Sequence, residues 1–166
     1  MQRQTYVFNA ELVGFEGVRR TVTVREDLTL VDLHYALQSA FGWDDEHLYS
    51  FWLDGSFWGP EDGHYMHPYH AASLDPVGKS ACTHLDELGL EQGQQIAYVF
   101  DFAREWRVAL ELREIATARS RVGARCIESV GEPPPRDDTI TFESEVAASQ
   151  ATIEFIALMV EEADAA

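Results

Sequence analysis

The sequence predicts an α+β fold, and two observations lead to this prediction. Segments in which apolar and polar residues alternate come in pairs and do not take turns with helical segments. Helical spacing of apolar residues is confined to the segment after the first pair of strands and to the last part of the chain. A hairpin, a helix, further strands, a short helix and another hairpin form a β-grasp-like order, with a mixed or antiparallel sheet. We assign residues 1–135 to this domain and residues 136–166 to an added C-terminal helix, packed on or near it.

The first hairpin and the first helix have the clearest signals. Two runs with a period of two flank the turn "GFEG", and their alternating positions are Tyr6, Phe8, Ala10 and Leu12, then Val18, Arg20, Val22 and Val24. Thr29 and Asp32 are spaced as a weak form of the capping box, and Gly42 is placed to end the helix. The apolar stripe between them predicts a buried helix face made of Leu30, Leu33, His34, Leu37, Ala40 and Phe41.

The middle of the chain predicts a second hairpin and then a long loop. "LYSFWL" has the composition of a strand, and Asp54-Gly55 separates it from "SFWG", as in a tight hairpin turn. Residues 59–81 hold no period and contain scattered Pro and Gly, so we expect one long loop that is functional or mobile. "THLDELG" predicts a short helix with Thr83 as its cap.

Two strands, a loop and a helix are predicted for the rest of the chain. The strands have a period of two at Ile96, Tyr98, Phe100 and Phe102, and at Trp106, Val108, Leu110 and Leu112. Residues 116–138 lack a period and include "EPPP", which predicts a loop or linker. A helix is expected from about Glu143, with the stripe Val146, Ile153, Ile156 and Val160.

Composition limits the classes of partner. Hydrophobic residues are 46% and charged residues 25% of 166 residues, the balance of one folded domain. The net charge of −17 opposes direct binding to a phosphate backbone and leaves a basic protein as a partner. We expect no membrane span, no signal peptide and, with two cysteines at Cys82 and Cys126, a reducing cytoplasm. Homo-oligomerisation stays open.

Two blocks of the sequence resemble a known family. "LTLVDLHYALQSAFGWDDEHLYSFWLDG" and "LDELGLEQGQQIAYVFDFAREWRVALELREI" are similar to the two signature blocks of the plasmid pRiA4b ORF-3-like family, over about residues 5–135. The resemblance implies a small α+β domain, linked to mobile elements and labelled resolvase-like, without an established activity. Ala103 and Arg104 stand where the family pattern has Gly and Asp, and the segment from Glu143 lies outside the resemblance.

The family pattern marks the first set of candidate site residues. Five binding candidates occupy its motif positions: His34, Trp43, His47, Asp101 and Trp106. We expect His34 to be a hydrogen-bonded core residue with Asp101 or the turn at residues 44–47 as its partner, and His47 to bond Asp44 or Asp45. If both imidazoles meet Asp101, the cluster has the groups for proton transfer or for a metal ion, with Ser50 nearby. We expect Trp43 and Trp106 to pack between the sheet and the first helix.

A second set is the run "GHYMHPYH", which places His64, His67 and His70 at every third position. Three imidazoles are a ligand set for zinc, but Gly63 and Pro68 oppose the regular helix that this spacing needs, so a polar loop is the favoured interpretation.

Three functions follow from these patterns. The leading hypothesis is a non-catalytic cytoplasmic binding or protein-interaction module without a cofactor. The alternatives are a metal-dependent hydrolase that uses His34 and His47 or the three-histidine loop with zinc or another divalent metal, and an acidic DNA mimic.

Overall fold

A computed structural model describes residues 3–43, 46–74, 78–117, 121–136, 142–151 and 158. The strands are β1 (Gln4–Leu12), β2 (Arg19–Arg25), β3 (Tyr49–Trp52), β4 (His64–Met66), β5 (Lys79–Ser80), β6 (Gln95–Phe100), β7 (Trp106–Thr117) and β8 (Ala124–Val130). The helices are α1 (Leu30–Phe41), a π-helical turn (His70–Leu74), a 3-10 turn (Leu85–Glu87) and α2 (residues 142–151). Within these residues, every helix is too short or too polar to cross a membrane.

The described strands form one sheet in the order β5-β4-β3-β6-β7-β1-β2-β8. All neighbouring strands are antiparallel except β4 and β5, which are parallel. The predicted mixed α+β fold is therefore confirmed, whereas the β-grasp label stays a prediction. The two predicted hairpins β1–β2 and β6–β7 are also confirmed.

The α1 helix covers one face of the sheet with the predicted apolar stripe. The side chain of Thr29 accepts from the backbone of Asp32 while Asp32 bonds the backbone of Thr29, and Gly42 ends the helix at a φ of 74°. Only a residue without Cβ takes that left-handed conformation at low cost, so the predicted boundaries are confirmed. Four apolar side chains of the stripe are almost completely buried in the main core: Leu30, Leu33, Leu37 and Phe41.

The hairpin predicted at Asp54-Gly55 is wrong in its second strand. β3 pairs with His64–Met66, and "SFWG" belongs to the connection between the two strands. A type I′ turn needs positive φ at both central residues, but only Gly55 has it, with a φ of 81°. Asp54 instead accepts a hydrogen bond from the backbone of Ser56 through Oδ1 at 2.9 Å, which makes a local turn of the aspartate type.

The long loop predicted over residues 59–81 is also corrected, because it contains β4, the π-helical turn and β5. β4 joins the sheet with only three residues, too few for a period of two to be visible. The cap predicted for the following short helix is wrong as well. Thr83 donates its hydroxyl to the carbonyl of Ser80, and the 3-10 turn begins after His84 without a side-chain cap.

The loop predicted over residues 116–138 contains a whole strand. β8 pairs along β2 at the edge of the sheet, with Val22 opposite Cys126 and Arg19 opposite Val130. Five of its seven residues are exposed, so neither face carries the apolar alternation that signals a strand.

The α2 helix packs on the end of the sheet. Val146 is buried in a small cluster with Leu48 and Leu74, and Phe142 packs against it. The predicted positions Ile153, Ile156 and Val160 lie outside the described residues. The division of the chain after residue 135 stays a prediction.

Candidate functional site

A cavity of about 390 Å³ opens between α1 and the beginning of β3. We call it the α1–β3 pocket, and its described lining consists of His34, Tyr35, Gln38, Ser39, Trp43, Glu46, Tyr49 and His67. Four of these side chains are buried and form the floor: His34, Gln38, Trp43 and Tyr49. Tyr35, Ser39 and Glu46 are exposed and form the rim.

A buried hydroxyl ties the helix to the sheet below this floor. His34 and Gln38 are four residues apart, so they lie on the same face of α1. The Tyr98 hydroxyl of β6 is 2.7 Å from Nδ1 of His34 and accepts a hydrogen bond of 3.0 Å from Nε2 of Gln38. Tyr98 is completely buried. The prediction of a buried His34 is therefore confirmed, and its described partner is Tyr98 in place of the expected Asp101. Asp44 and Asp45, in the other expected partner, lie outside the described residues.

Burial keeps the groups of the floor neutral. The ring of His34 stacks on Tyr49 with 3.6 Å between centroids. Burial, and secondarily the nearby His67, lowers the pKa of His34 from 6.5 to about 3. Burial also raises the pKa of the Tyr49 hydroxyl and raises that of Tyr98 well above its ordinary value. At neutral pH these three side chains therefore offer hydrogen bonds and no charge.

Three polar atoms of the floor are left for a ligand. Nε2 of His34, Oε1 of Gln38 and the Tyr49 hydroxyl make no hydrogen bond to any other residue that the structure describes. The buried indole Nε1 of Trp43 has no hydrogen-bond partner in the described residues either. Polar groups in a protein interior are normally paired, so the buried Nε1 of Trp43 indicates a binding site, together with the three unused atoms in the lining of the same cavity.

The rim adds one negative charge. His67 accepts a hydrogen bond of 3.0 Å from the backbone of Tyr69 through Nδ1, and its Nε2 lies 3.8 Å from a carboxylate oxygen of Glu46. Burial lowers the pKa of His67, and Glu46 opposes that shift. Of the described lining residues, Glu46 alone is charged at neutral pH.

A second polar cluster lies at the neighbouring ends of β3 and β6. It consists of His47, Asp101 and Glu145, all buried, with ligand atoms within 4.8 Å of one another. Glu145 accepts from the backbone of Leu48 at 2.9 Å and of Phe102 at 2.8 Å, and it lies 3.1 Å from Nδ1 of His47. His47 therefore meets Asp101 and Glu145. Asp44 and Asp45, the partners expected from the sequence, lie outside the described residues.

The donor set of this cluster fits a metal ion poorly. Arg136 donates to Oδ2 of Asp101 at 3.0 Å and so brings a positive charge to the place of a cation. Both carboxylate oxygens of Glu145 already accept backbone hydrogen bonds, and burial raises the pKa of that carboxyl against the opposing effect of these amides. Only Oδ1 of Asp101 lacks a partner among the described residues. The cluster is thus organised to hold α2 against the sheet.

The three histidines of "GHYMHPYH" do not come together. His64 stacks on Trp52 and its Nε2 lies 2.9 Å from the hydroxyl of Ser50, whereas His67 lines the α1–β3 pocket. The ring of His70 lies 6.0 Å from that of Phe102. Among the described residues, these three imidazoles form no group with ligand atoms close enough to share an ion.

The two tryptophans of the family pattern lie side by side. Trp43 stacks between Phe41 of α1 and Phe100 of β6, with centroid distances of 4.7 and 5.4 Å. Trp106 is tilted against Trp43 at 5.8 Å, so the expected packing between sheet and helix is confirmed. Local sequence patterns do not reveal the roles of five residues: Gln38, Tyr49, Tyr98, Arg136 and Glu145. A polar residue four positions after His34 on an apolar stripe was the available signal for Gln38.

Comparison with known proteins identifies the family. The model of the family "Plasmid pRiA4b ORF-3-like protein" matches residues 4–149. The chain belongs to this family. The match continues past residue 135, where the sequence resemblance was expected to end, and includes most of the described α2 helix.

Two relatives agree with this assignment. An "Uncharacterized protein y4hQ" of Sinorhizobium fredii (strain NBRC 101917 / NGR234) is 28% identical over 121 residues, which are 72% of this chain and 58% of that protein. The chain thus aligns with little more than half of that relative's length. The crystal structure of "Protein of Unknown Function MM3350" from Methanosarcina mazei Go1 has a TM-score of 0.62 and 22% identity, and the match covers 78% of this chain and 70% of that one. That likeness supports the fold, and neither name states an activity.

Proposed function

We propose that this pRiA4b ORF-3-like chain is a non-catalytic binding or protein-interaction module on a β-grasp-like scaffold. It takes a side chain of a protein partner into the α1–β3 pocket. The observation that carries the proposal is the pocket floor, where His34, Gln38 and Tyr49 keep hydrogen-bonding atoms that no described residue uses. The cavity of about 390 Å³ is within the range of small-ligand sites, roughly 300–1,000 Å³.

The electrostatics of the pocket favour binding over catalysis. A general base works best with a pKa near the operating pH, whereas burial holds the pKa of His34 at about 3. Burial moves the pKa of the Tyr49 hydroxyl upward, away from that range as well. Both groups are therefore suited to hydrogen bonding of a neutral ligand.

The partner is proposed to be a protein with a basic surface. The net charge of −17 attracts such a partner over long distances and repels nucleic acid. In this proposal the module acts in the cytoplasm, in association with mobile elements as the family resemblance implies. Association between copies of the chain remains compatible with it.

A blocked pocket tests the proposal. Ser39→Arg places a long side chain on the rim, and Ser129→Arg places the same side chain on the exposed face of β8 as a matched control. We expect cross-linking in an extract of the source cell to capture the same partner with the wild type and with Ser129→Arg, but not with Ser39→Arg. Equal capture by all three proteins would mean that the pocket is not part of the interface with the partner. A basic DNA-binding protein captured equally well by all three would favour the DNA-mimic alternative.

The second candidate is a metal-dependent hydrolase centred on His47, Asp101 and Glu145, and the closeness of these three ligand atoms favours it. Zinc held there would supply an activated water. Elemental analysis of tag-free protein distinguishes the two candidates. If the chain is a binding module, we expect no tightly held transition metal. About one metal ion per chain, lost in Asp101→Asn, would instead support the metal-dependent hydrolase.

A further inference from the structure

The Tyr98 hydroxyl has one proton and two hydrogen-bonding neighbours. It lies 2.7 Å from Nδ1 of His34 and 3.0 Å from the side-chain amide of Gln38, in a completely buried position. In the arrangement of the structure, Gln38 donates to the hydroxyl oxygen. The hydroxyl proton then goes to Nδ1 of His34, because a buried hydroxyl left without an acceptor is costly.

This chain of hydrogen bonds fixes what the pocket offers. With Nδ1 as an acceptor, neutral His34 carries its proton on Nε2 and presents a donor, while Gln38 presents the acceptor Oε1. The opposite arrangement has Nδ1 of His34 donating to Tyr98 and Tyr98 donating to a turned-over Gln38 amide. His34 then presents an acceptor and Gln38 a donor. In both arrangements His34 and Gln38 together show one donor and one acceptor, never two of the same kind.

We propose that the α1–β3 pocket recognises the edge of an amide on which an N–H and a C=O lie side by side. In a protein partner this group is the primary carboxamide of an Asn or Gln side chain. The inference rests on the proposed function and names the chemistry of its ligand.

Charged groups and the ordinary peptide bond do not match the donor and the acceptor that His34 and Gln38 present. A carboxylate offers only acceptors, and an ammonium or guanidinium group offers only donors, so each leaves either the His34 or the Gln38 atom unpaired. An ordinary peptide bond is trans, with its N–H and C=O on opposite edges. Glu46 on the rim further disfavours anions. The rings of Tyr35, Trp43 and Tyr49 supply aromatic surface for a flat, neutral amide.

Small probes test the inference on the full-length protein. Propionamide and 2-pyrrolidinone carry the required edge, whereas N-methyl-2-pyrrolidinone lacks the N–H, N-methylacetamide is trans, and acetate and guanidinium are the charged controls. We expect the first two to bind with roughly millimolar affinity and to shift the ring ¹⁵N signals of His34 in NMR titrations. The controls bind about three- to tenfold more weakly, as expected for the loss of one hydrogen bond. Equal binding of 2-pyrrolidinone and its N-methyl derivative would overturn the inference.

Gln38→Glu reverses the preference. A carboxylate at this position accepts from Tyr98, so His34 donates to Tyr98 from Nδ1 and the pocket shows two acceptors. We expect guanidinium to bind this variant more tightly than 2-pyrrolidinone. Gln95→Glu, which adds the same charge at an exposed position of β6, keeps the amide preference of the wild type. An unchanged preference in folded Gln38→Glu would contradict the inference, and the probe series on the wild type decides the matter if this variant does not fold.

The two proposals fail in different ways. If acetate or guanidinium shifts the His34 signals more strongly than the amides do, the amide inference is wrong and a binding pocket remains. If no probe shifts them, the amide inference is also wrong, and the capture experiment with Ser39→Arg decides independently whether the pocket binds a partner.

Discussion

His34 links the stability of the protein to pH, because its imidazole is buried in the neutral form. Its ordinary pKa of 6.5 applies to the unfolded chain, and burial lowers it to about 3 in the folded protein. Between these values the unfolded chain binds a proton that the folded protein does not. The free energy of unfolding therefore falls as the pH is lowered through this range, and the contribution is complete above pH 6.5.

We expect His34→Gln to remove this part of the pH dependence. For the wild type, the contribution of His34 reaches about 1.4 kcal/mol per pH unit, one proton per molecule. Urea unfolding across this pH range measures the free energy of unfolding of both proteins. In the difference between the two values, the titration of the carboxylates that both proteins contain cancels. If the free energies of unfolding of the two proteins changed in parallel with pH, the His34 ring would not be buried in its neutral form.

His34→Leu and His34→Gln separate the hydrogen bond from the packing. Leu cannot pair with the Tyr98 hydroxyl, so we expect it to cost about 1–3 kcal/mol of unfolding free energy. Gln keeps a donor and an acceptor and should cost less. Denaturant melts at neutral pH measure both values. A Leu variant as stable as the wild type would mean that the hydrogen bond between His34 and Tyr98 does not stabilise the folded protein.

At the scale of single elements, α1 depends on its buried stripe. Leu33 and Leu37 are completely buried, so Leu33→Ala and Leu37→Ala should each lower the free energy of unfolding by about 2–5 kcal/mol. Ser39→Ala, at an exposed position of the same helix, should stay within about 0.5 kcal/mol of the wild type. Denaturant melts compare the three variants. A cost below about 0.5 kcal/mol for either leucine would contradict its place in the core.

The α2 helix depends on one carboxylate. Glu145→Gln replaces an acceptor oxygen with an amide group that faces backbone donors, so it should cost about 1–3 kcal/mol and speed hydrogen exchange at the amides of Leu48 and Phe102. Glu143→Gln, an exposed position two residues earlier, is the matched control. Exchange rates that are the same in both variants would mean that Glu145 does not hold the helix.

The elements differ in how far the sequence predicts them, and burial explains the difference. The α1 helix buries one face and carries its own cap at Thr29, so its period and its ends are visible. β8 is paired only on one side and is mostly exposed, so no apolar alternation marks it. Tyr98 contacts Gln38 across 60 positions of the sequence, and Glu145 contacts Leu48 across 97 positions. Local sequence patterns contain no information about contacts over such separations.

At the scale of the whole molecule, charge is the dominant property. A net charge of −17 on 166 residues makes the folded protein repel itself, and salt screens this repulsion. We therefore expect the free energy of unfolding to rise when NaCl is increased from low ionic strength to about 0.15 M. Urea melts at several salt concentrations test this, with sucrose as a control for general solvent effects. A constant or falling value would show that local ion pairs outweigh the overall repulsion.

The reversible direction of the hydrogen bonds through Tyr98 has an entropic consequence for the proposed binding. A flat carboxamide can enter the pocket either way round in the proposed complex. The donor and the acceptor exchange when the His34 imidazole changes tautomer through proton exchange with solvent, the Tyr98 hydroxyl rotates and the Gln38 side-chain amide turns over. Where the two orientations are equal in energy, this degeneracy is worth about 0.4 kcal/mol of binding free energy, RT ln 2. In the proposed complex, the Asn or Gln of a partner therefore retains part of the freedom about its last side-chain bond.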